Sequence, residues 1–377
     1  MTKEMNALDA LWKVAVEPCL WMLPGPKLKK NLMYCFENLG MKARNGATVK
    51  IVRMNKAPYG WHLILSLYPG LHVGNLIEHS RAFDQAVGGE VEIYRDKSGW
   101  VHMKIYMLGL PDIINYSKEM VEYIQKYPCA IPIGVSGRGV EILNLANDIT
   151  YHALIAGMPG TGKSILLRTI IVSLLQHYSP EDVQFYLLDL KQNVGMTFFE
   201  NFPHVVVSEG EPEKAGKVLS KLQAEMKRRG ELMKKHRVTS IANLEGIKLP
   251  HILFVVDEFA QLDEMKAIEG IASLGRYVGV HCILCTQRPE VKIVSGNIKA
   301  NIPVRIAFRM QTDIDSRTIL GVGGAQYIEN IAGRAVLQIG GRMRMIQGLY
   351  MSDKELQTFV EPYQTKVVKL RERRWVP

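Results

Sequence analysis

The sequence predicts an α/β fold in two parts, a large domain built on a parallel sheet and a small α/β domain ahead of it. Three observations carry this. Gly157-Met158-Pro159-Gly160-Thr161-Gly162-Lys163-Ser164 fits the pattern G-x-x-x-x-G-K-[ST], between the apolar run 152–156 and a helical-looking 164–168. That strand–loop–helix setting is the one in which such a loop can wrap phosphate groups. Residues 251–256 form a second apolar run, ending in Asp257 and Glu258; unbroken apolar strands are those covered on both faces in a parallel sheet. From about Ile131 onward, strand-like and helix-like stretches alternate, as βα units do.

Taken in order, residues 1–40 read as a helical lead-in with a basic patch from Lys27 to Lys30. Residues 41–128 make the small α/β domain. Within it 48–54 and 61–68 are rich in β-formers, and 75–87 places Leu76, His79, Phe83 and Val87 on one helical stripe. Residues 91–95 and 100–106 are strands joined by Asp96-Lys97-Ser98-Gly99, a hairpin signal. A short helix is expected near 117–126, and the Pro- and Gly-rich 128–139 leads into the large domain, residues 129–360. There strands are expected around Leu154, at 183–190, 252–256 and 280–286, with helices from Ser164, at 213–235 and at 263–277. Residues 334–350, centred on Gly340-Gly341, read as a closing β-hairpin, and 361–377 as a basic tail.

The 377 residues leave room for two cores. A hydrophobic fraction of 47% with 22% charged residues is that of an ordinary globular protein. The net charge of +10 is uneven: residues 1–50 and 201–250 each carry about +4, and 301–377 about +5. Such a balance suits a polyanionic partner such as nucleic acid. Five cysteines (Cys19, Cys35, Cys129, Cys282, Cys285), odd in number and scattered, read as reduced thiols of a cytoplasmic protein. Cys282 and Cys285 have C-x-x-C spacing but lie in an apolar strand-like run, where residues three apart point to opposite faces; this argues against a metal site. The apolar stretch 11–23 is interrupted by Lys13, Glu17 and Pro18 and is too short to cross a bilayer, so a membrane role needs a partner.

The loop and the acidic pair together imply nucleotide hydrolysis. Glycines let the backbone close around phosphates with its N–H groups inward, Lys163 adds a point charge, Ser164 can hold Mg²⁺, and the following helix presents its positive end. Asp257 is placed to orient Mg²⁺ through its water shell, and Glu258, one residue on, to polarise the attacking water.

Further stretches resemble the FtsK/SpoIIIE family of hexameric DNA-pumping ATPases. Cys285-Thr286-Gln287-Arg288-Pro289 is similar to its T-Q-R-P element, and Ile298-Lys299-Ala300-Asn301-Ile302-Pro303 with Arg305-Ile306-Ala307-Phe308 to its I-K-A-N-I-P-x-R-I-A-F run. Asp315-Ser316-Arg317-Thr318-Ile319-Leu320 matches its D-S-R-T-I-L segment. Glu225-Met226-Lys227-Arg228-Arg229 and Leu188-Asp189-Leu190-Lys191 resemble two more of its elements, and the match runs from about Ile131 to Tyr350. The resemblance implies a RecA-like core using ATP and Mg²⁺, a homo-oligomer, a hexamer in this family, and double-stranded DNA as partner. It implies that Gln287 senses the γ-phosphate and that Arg276 reaches into the neighbouring subunit's ATP. It also implies that Arg288, Lys299 and Arg317 lie in or near loops facing DNA in the pore, whereas Arg305, among apolar residues, reads as a structural pairing arginine. Asp313 stands where a basic pore residue is expected.

The leading expectation is a ring-forming, ATP-driven translocase of double-stranded DNA. With no winged-helix segment read after Tyr350 and no anchor, it is more similar to the short translocases of conjugative plasmids and integrative elements. In that setting a coupling role in conjugation, with a membrane-anchored or relaxase partner, is implied. Two alternatives stay open: a protein-exporting secretion ATPase of the same fold, and a nucleotide-switched DNA-binding protein of plasmid maintenance.

Overall fold

The computed structural model describes residues 24–373, apart from 44, 58, 108, 118–125 and 192–195. Most of the lead-in at 1–40 and of the helix expected near 117–126 therefore lies outside the described residues. The chain divides into two compact units: residues 1–111 with 136–139, and residues 112–135 with 140–377.

The first unit contains α1 (Gly25–Asn38), β1 (Lys50–Ala57), β2 (Gly60–Ser66), α2 (Val73–Glu78), α3 (Ser80–Val87), β3 (Glu90–Arg95) and β4 (Val101–Tyr106). The strands make an antiparallel sheet in the order β1-β2-β4-β3. Trp61, Leu63 and Leu65 on β2 and Val101, Met103 and Ile105 on β4 alternate with half-exposed residues. They bury against Leu28, Leu32 and Phe36 of α1 and Leu76, Phe83 and Val87 of α2 and α3. The single stripe expected over 75–87 is two helices, because His79 adopts ψ 14° and closes one before the other begins. The 96–99 hairpin forms as expected, with Asp96 Oδ1 accepting from Trp100 N–H at 2.8 Å.

The second unit is a sheet flanked by helices. Its elements are β5 (Ile114–Asn115), β6 (Ala130–Ser136), β7 (Gly139–Asn144), β8 (Ala153–Ala156), α4 (Lys163–His177), β9 (Val183–Asp189), β10 (Val205–Glu209) and α5 (Pro212–His236). They continue with β11 (His251–Asp257), α6 (Met265–Leu274), β12 (Val280–Thr286), α7 (Gly296–Asn301), β13 (Val304–Phe308), α8 (Asp313–Leu320), β14 (Arg334–Ile339), β15 (Arg342–Tyr350) and α9 (Asp353–Arg373). The strand order is β10-β9-β11-β12-β8-β13-β14-β15-β6-β7, with β5 added to β15. From β10 to β13 every pairing is parallel, and β14 and β15 then join antiparallel. The Pro- and Gly-rich entry contributes β6 and β7 to this sheet beside β15. Residues 361–373, read as a tail, continue α9.

Alternate residues of the parallel strands face opposite layers. Tyr186, Leu188, Phe254, Val256, Cys282 and Leu284 pack with the apolar stripes of α5, α6, α7 and α8. Phe185, Leu187, Leu253, Val255 and Ile283, on the other face, are equally buried. α4 is buried nearly all round, as a helix enclosed within a layered domain must be. α5 carries a buried cation: Arg229 donates to Glu225 Oε1 at 2.8 Å and to the Val278 carbonyl at 2.9 Å, tying the helix to the turn before β12.

Candidate nucleotide-hydrolysis site

Parallel strands bring distant residues to one edge of the sheet. Ala156 of β8 lies opposite Thr286 of β12, Cys285 opposite Asp257 of β11, and Asp257 opposite Asp189 of β9. The loop 157–164, the pair Asp257–Glu258 and Gln287 thus all leave the sheet at the carboxyl ends of neighbouring strands, where ligands of open α/β sheets sit.

The loop is held by its own sequence. Gly157 N–H donates to the Thr286 carbonyl at 3.3 Å, and Met158 N–H to that of Arg309 at 3.1 Å. Thr161 Oγ1 donates to the Met158 carbonyl at 2.7 Å, and the Thr161 carbonyl accepts from Gly333 N–H at 2.8 Å. A Cβ on Gly157 would stand 2.6 Å from the Phe308 Cβ; on Gly162, whose φ is +111°, it would stand 2.8 Å from the Gly333 nitrogen. Only glycine fits at either place.

Lys163 opens α4 and is 3% exposed. Its ammonium lies 3.1 Å from Asp257 Oδ1 and 4.0 Å from Glu258 Oε2. Lys191 meets the same oxygens at 3.4 and 3.5 Å. Burial acts against the Lys163 charge, but the Asp257 and Glu258 carboxylates outweigh it, and its pKa stands above the ordinary lysine value. Glu258 is buried and sits in the left-handed region, φ +75°, ψ +58°. A non-glycine residue there carries backbone strain of about 1–3 kcal/mol, which persists only where its surroundings hold it. They do: its carboxylate accepts from Thr286 Oγ1 at 2.6 Å and from Gln287 N–H at 3.0 Å, and its own N–H donates to the Cys285 carbonyl at 2.9 Å.

The site fits a magnesium nucleotide on two counts. The loop backbone is a cradle that a Cβ at Gly157 or Gly162 would fill, with the buried Lys163 ammonium at its base. The Ser164 hydroxyl, exposed on the first turn of α4, and the Asp257 carboxylate are hard oxygen donors, few enough to leave most of a Mg²⁺ shell to water and phosphate.

The remaining sequence candidates are spread around the unit. Gln287 joins the site through its backbone N–H. Arg276 does not: it lies in the turn Gly275–Val278, ahead of β12 at the amino end of the strands. Its guanidinium stacks 5.2 Å over Tyr151 and 4.5 Å over Tyr277. Seven residues of β12 separate that turn from the nucleotide edge, about 23 Å at roughly 3.3 Å per residue. Arg288 is exposed on the loop after β12, whereas Lys299 is on α7 and Arg317 on α8. Arg317 is paired with Asp313, one helical turn away, whose carboxyl that partner holds below the usual range. Arg305 donates to the Lys299 carbonyl at 2.8 Å and to that of Ile319 at 3.3 Å, joining the ends of α7 and α8.

Three participants were not singled out for roles from sequence. Lys191 follows the Asp189 strand end and completes the charge balance; Thr286 fixes Glu258; Asp189 Oδ2 accepts from Met196 N–H at 2.9 Å beside the acidic pair. The signal for Lys191 was its spacing from a strand-terminal acid, legible only once β9 is known to neighbour β11. Cys282 and Cys285 are buried in β12, and burial pushes both thiols well above the ordinary value. Among the described residues no cluster of histidine, cysteine, aspartate and glutamate could hold a metal by itself.

Comparison with known proteins agrees with this geometry. Residues 120–248 match the FtsK/SpoIIIE family model. The DNA translocase FtsK of Staphylococcus epidermidis is 35% identical over 272 residues, 64% of this chain and 33% of that protein. That of Halalkalibacterium halodurans is 37% identical over 234 residues, 56% of this chain and 29% of the other. The chain thus spans about a third of the length of the curated relatives it matches. Among solved structures, the pCW3 conjugation coupling protein TcpA with ATPγS has a TM-score of 0.61 at 22% identity, over 92% of this chain and 99% of that one. The cytoplasmic domain of the Thermomonospora curvata type VII secretion ATPase EccC has a TM-score of 0.56 at 26% identity, over 63% of this chain and 31% of that one. Among the described residues no helix is long and apolar enough to cross a membrane.

Proposed function

We propose that this chain, which belongs to the FtsK/SpoIIIE family, hydrolyses ATP and uses the energy to move double-stranded DNA through a ring of its own copies. The observation that carries the reading is the meeting of the phosphate loop, Lys163, Asp257 and the strained Glu258 at one sheet edge. Backbone N–H groups of Gly160 and of 162–164 hold the phosphates, and Lys163, neutralised by Asp257 in the free protein, turns its charge to the β- and γ-phosphates. Ser164 and Asp257 would hold Mg²⁺, which when bound offsets charge on the phosphates. Glu258, oriented by Thr286 and Gln287, accepts a proton from the attacking water. Gln287 stands where loss of the γ-phosphate would be felt and relayed through its N–H to Glu258.

Arg276 is on the wrong end of the strands to serve its own nucleotide and acts on a neighbouring copy. Arg288, Lys299 and Arg317 supply phosphate contacts, and Asp313 weakens the contribution of Arg317. ATPase rates with duplex, single-stranded and no DNA test the reading. Stimulation by duplex of any sequence is expected. Peptide cargo is the second reading, favoured by the likeness to EccC; ATP turnover indifferent to DNA and raised by peptide substrate would establish it instead.

A further inference from the structure

The most one-sided charge outside the motor unit lies on α1 and β1. Residues 24–57 hold eight lysines and arginines against one acid, Glu37. Lys27, Lys29 and Lys30 on α1 and Lys50, Arg53 and Lys56 on β1 are all exposed, and none has an acidic partner among the described residues.

Two features show that these cations are arranged. The first is a β-bulge. β1 is an edge strand whose register shifts between Ile51 and Arg53. Lys50 lies opposite Ser66 and Arg53 opposite Ile64, both on the sheet face away from α1. Residues three apart in a regular strand would point to opposite faces, so the bulge turns this pair to one side. Lys56 lies opposite Trp61 on the other face, its ammonium 6.0 Å over the indole. α1 starts at the same corner, since a Cβ on Gly25 would lie 3.0 Å from Trp61 and 3.6 Å from Met54. Cations therefore flank both sides of one strand edge.

The second feature is the orientation of α1. Its first turn has no acidic residue; Lys27 stands in that turn and Lys29 and Lys30 in the next. Cations there oppose the helix dipole, which favours anions at that end. A bound polyanion reverses this cost. Lysines on β1 alone would suffice to ward off a second strand; that need explains neither the bulge nor the three lysines on α1.

We infer that this rim is a docking surface for the phosphate backbone of duplex DNA, separate from the contacts proposed on the motor unit. The choice of duplex rests on the function proposed above. Two triple variants of the full chain test it, Lys27→Gln/Lys29→Gln/Lys30→Gln and Lys50→Gln/Arg53→Gln/Lys56→Gln, together with their combination. Fluorescence anisotropy with two unrelated labelled duplexes gives affinity across a salt series. Each triple should weaken both duplexes alike and shallow the log–log salt slope by up to about 2.7 units, at about 0.9 for each of the three phosphates no longer neutralised. ATPase without DNA should not change, the melting temperature of the α1 triple should not fall, and Lys→Arg replacements at the same positions should bind as wild type does. If wild type binds duplex and the combined variant keeps its affinity and slope, this surface is refuted and the motor reading stands. If wild type binds no duplex, both fall. Loss of binding to anionic phosphatidylserine vesicles with duplex binding intact would assign the rim to a membrane and overturn the proposal.

Discussion

Arg276 offers the sharpest test of assembly, because its position excludes one reading outright. It stands at the amino end of β12 and the phosphate loop at the carboxyl end of β8, one parallel neighbour away, about 23 Å along the strands at roughly 3.3 Å per residue. No arginine side chain spans that distance within one chain. If Arg276 stabilises charge on the transferring phosphoryl group, it does so in an adjacent copy, and its loss should lower the rate by on the order of 10³ or more. Lys163→Ala removes the other half of the same composite site. Each variant alone should be inactive. In an equal mixture, a site needs its own intact loop and its neighbour's intact arginine, so about a quarter of sites recover in a closed ring of like subunits. Duplex-stimulated phosphate release, measured on assemblies purified through two different tags, reads this directly. Mixed assemblies that stay at the rate of the separate variants, with Arg276→Ala alone near wild type, would refute the trans role.

Glu258→Gln should keep ATP bound while hydrolysis falls by 10² or more, on the order expected for loss of a general base, whereas Lys163→Ala should lose binding itself; filter binding and single-turnover assays separate the two. Arg229→Met leaves the Val278 carbonyl without its donor at a cost of about 1–3 kcal/mol, because Glu225 keeps Arg228 at 2.7 Å. Arg229→Ala adds a cavity and should cost about 3–5 kcal/mol, each kcal/mol lowering the melting temperature by about 2–4 °C. His152 and His251, held neutral by burial, titrate at about 4 rather than 6.5. The unfolded chain takes up those protons first, so stability is whole above pH 6.5 and lost as pH falls toward 4, by about 1.4 kcal/mol per pH unit for each histidine. Urea melts at pH 7, 6 and 5 should show this loss, and His251→Phe should reduce it by that residue's share, leaving the share of His152.

The fold was legible where pattern and burial agree. The apolar runs at 252–256 and 280–286 could only be strands covered on both faces, and they are β11 and β12 at the centre of the sheet. The sheet's far side was less legible. Residues 128–139 read only as a Pro- and Gly-rich entry because Pro132, Gly134, Gly137 and Gly139 depress strand propensity; pairing beside β15 overrides that preference. The break at His79 was hidden for the opposite reason: a continuous apolar stripe survives a kink, since Leu76, Phe83 and Val87 reach one core from two helices.

At the site, legibility followed locality. A phosphate loop carries its glycines, lysine and hydroxyl in eight consecutive residues, so its chemistry can be read without the sheet. Lys191 and Thr286 act only across strand neighbours, and no spacing in the chain shows that β9, β11 and β12 end in register. Exposed cations are harder still, because what decides their role is a partner outside the chain. Arg305 could be read as structural from its apolar surroundings, and it bonds the Lys299 and Ile319 carbonyls. Arg317 looks the same in sequence as an unpaired DNA contact, yet Asp313 already neutralises it on the helix surface. The lysines of α1 and β1 lack such partners, so a polyanion would meet less internal competition there than at Arg317. Basic residues on the small unit therefore have a stronger physical claim on DNA than their distance in sequence from the motor motifs suggests.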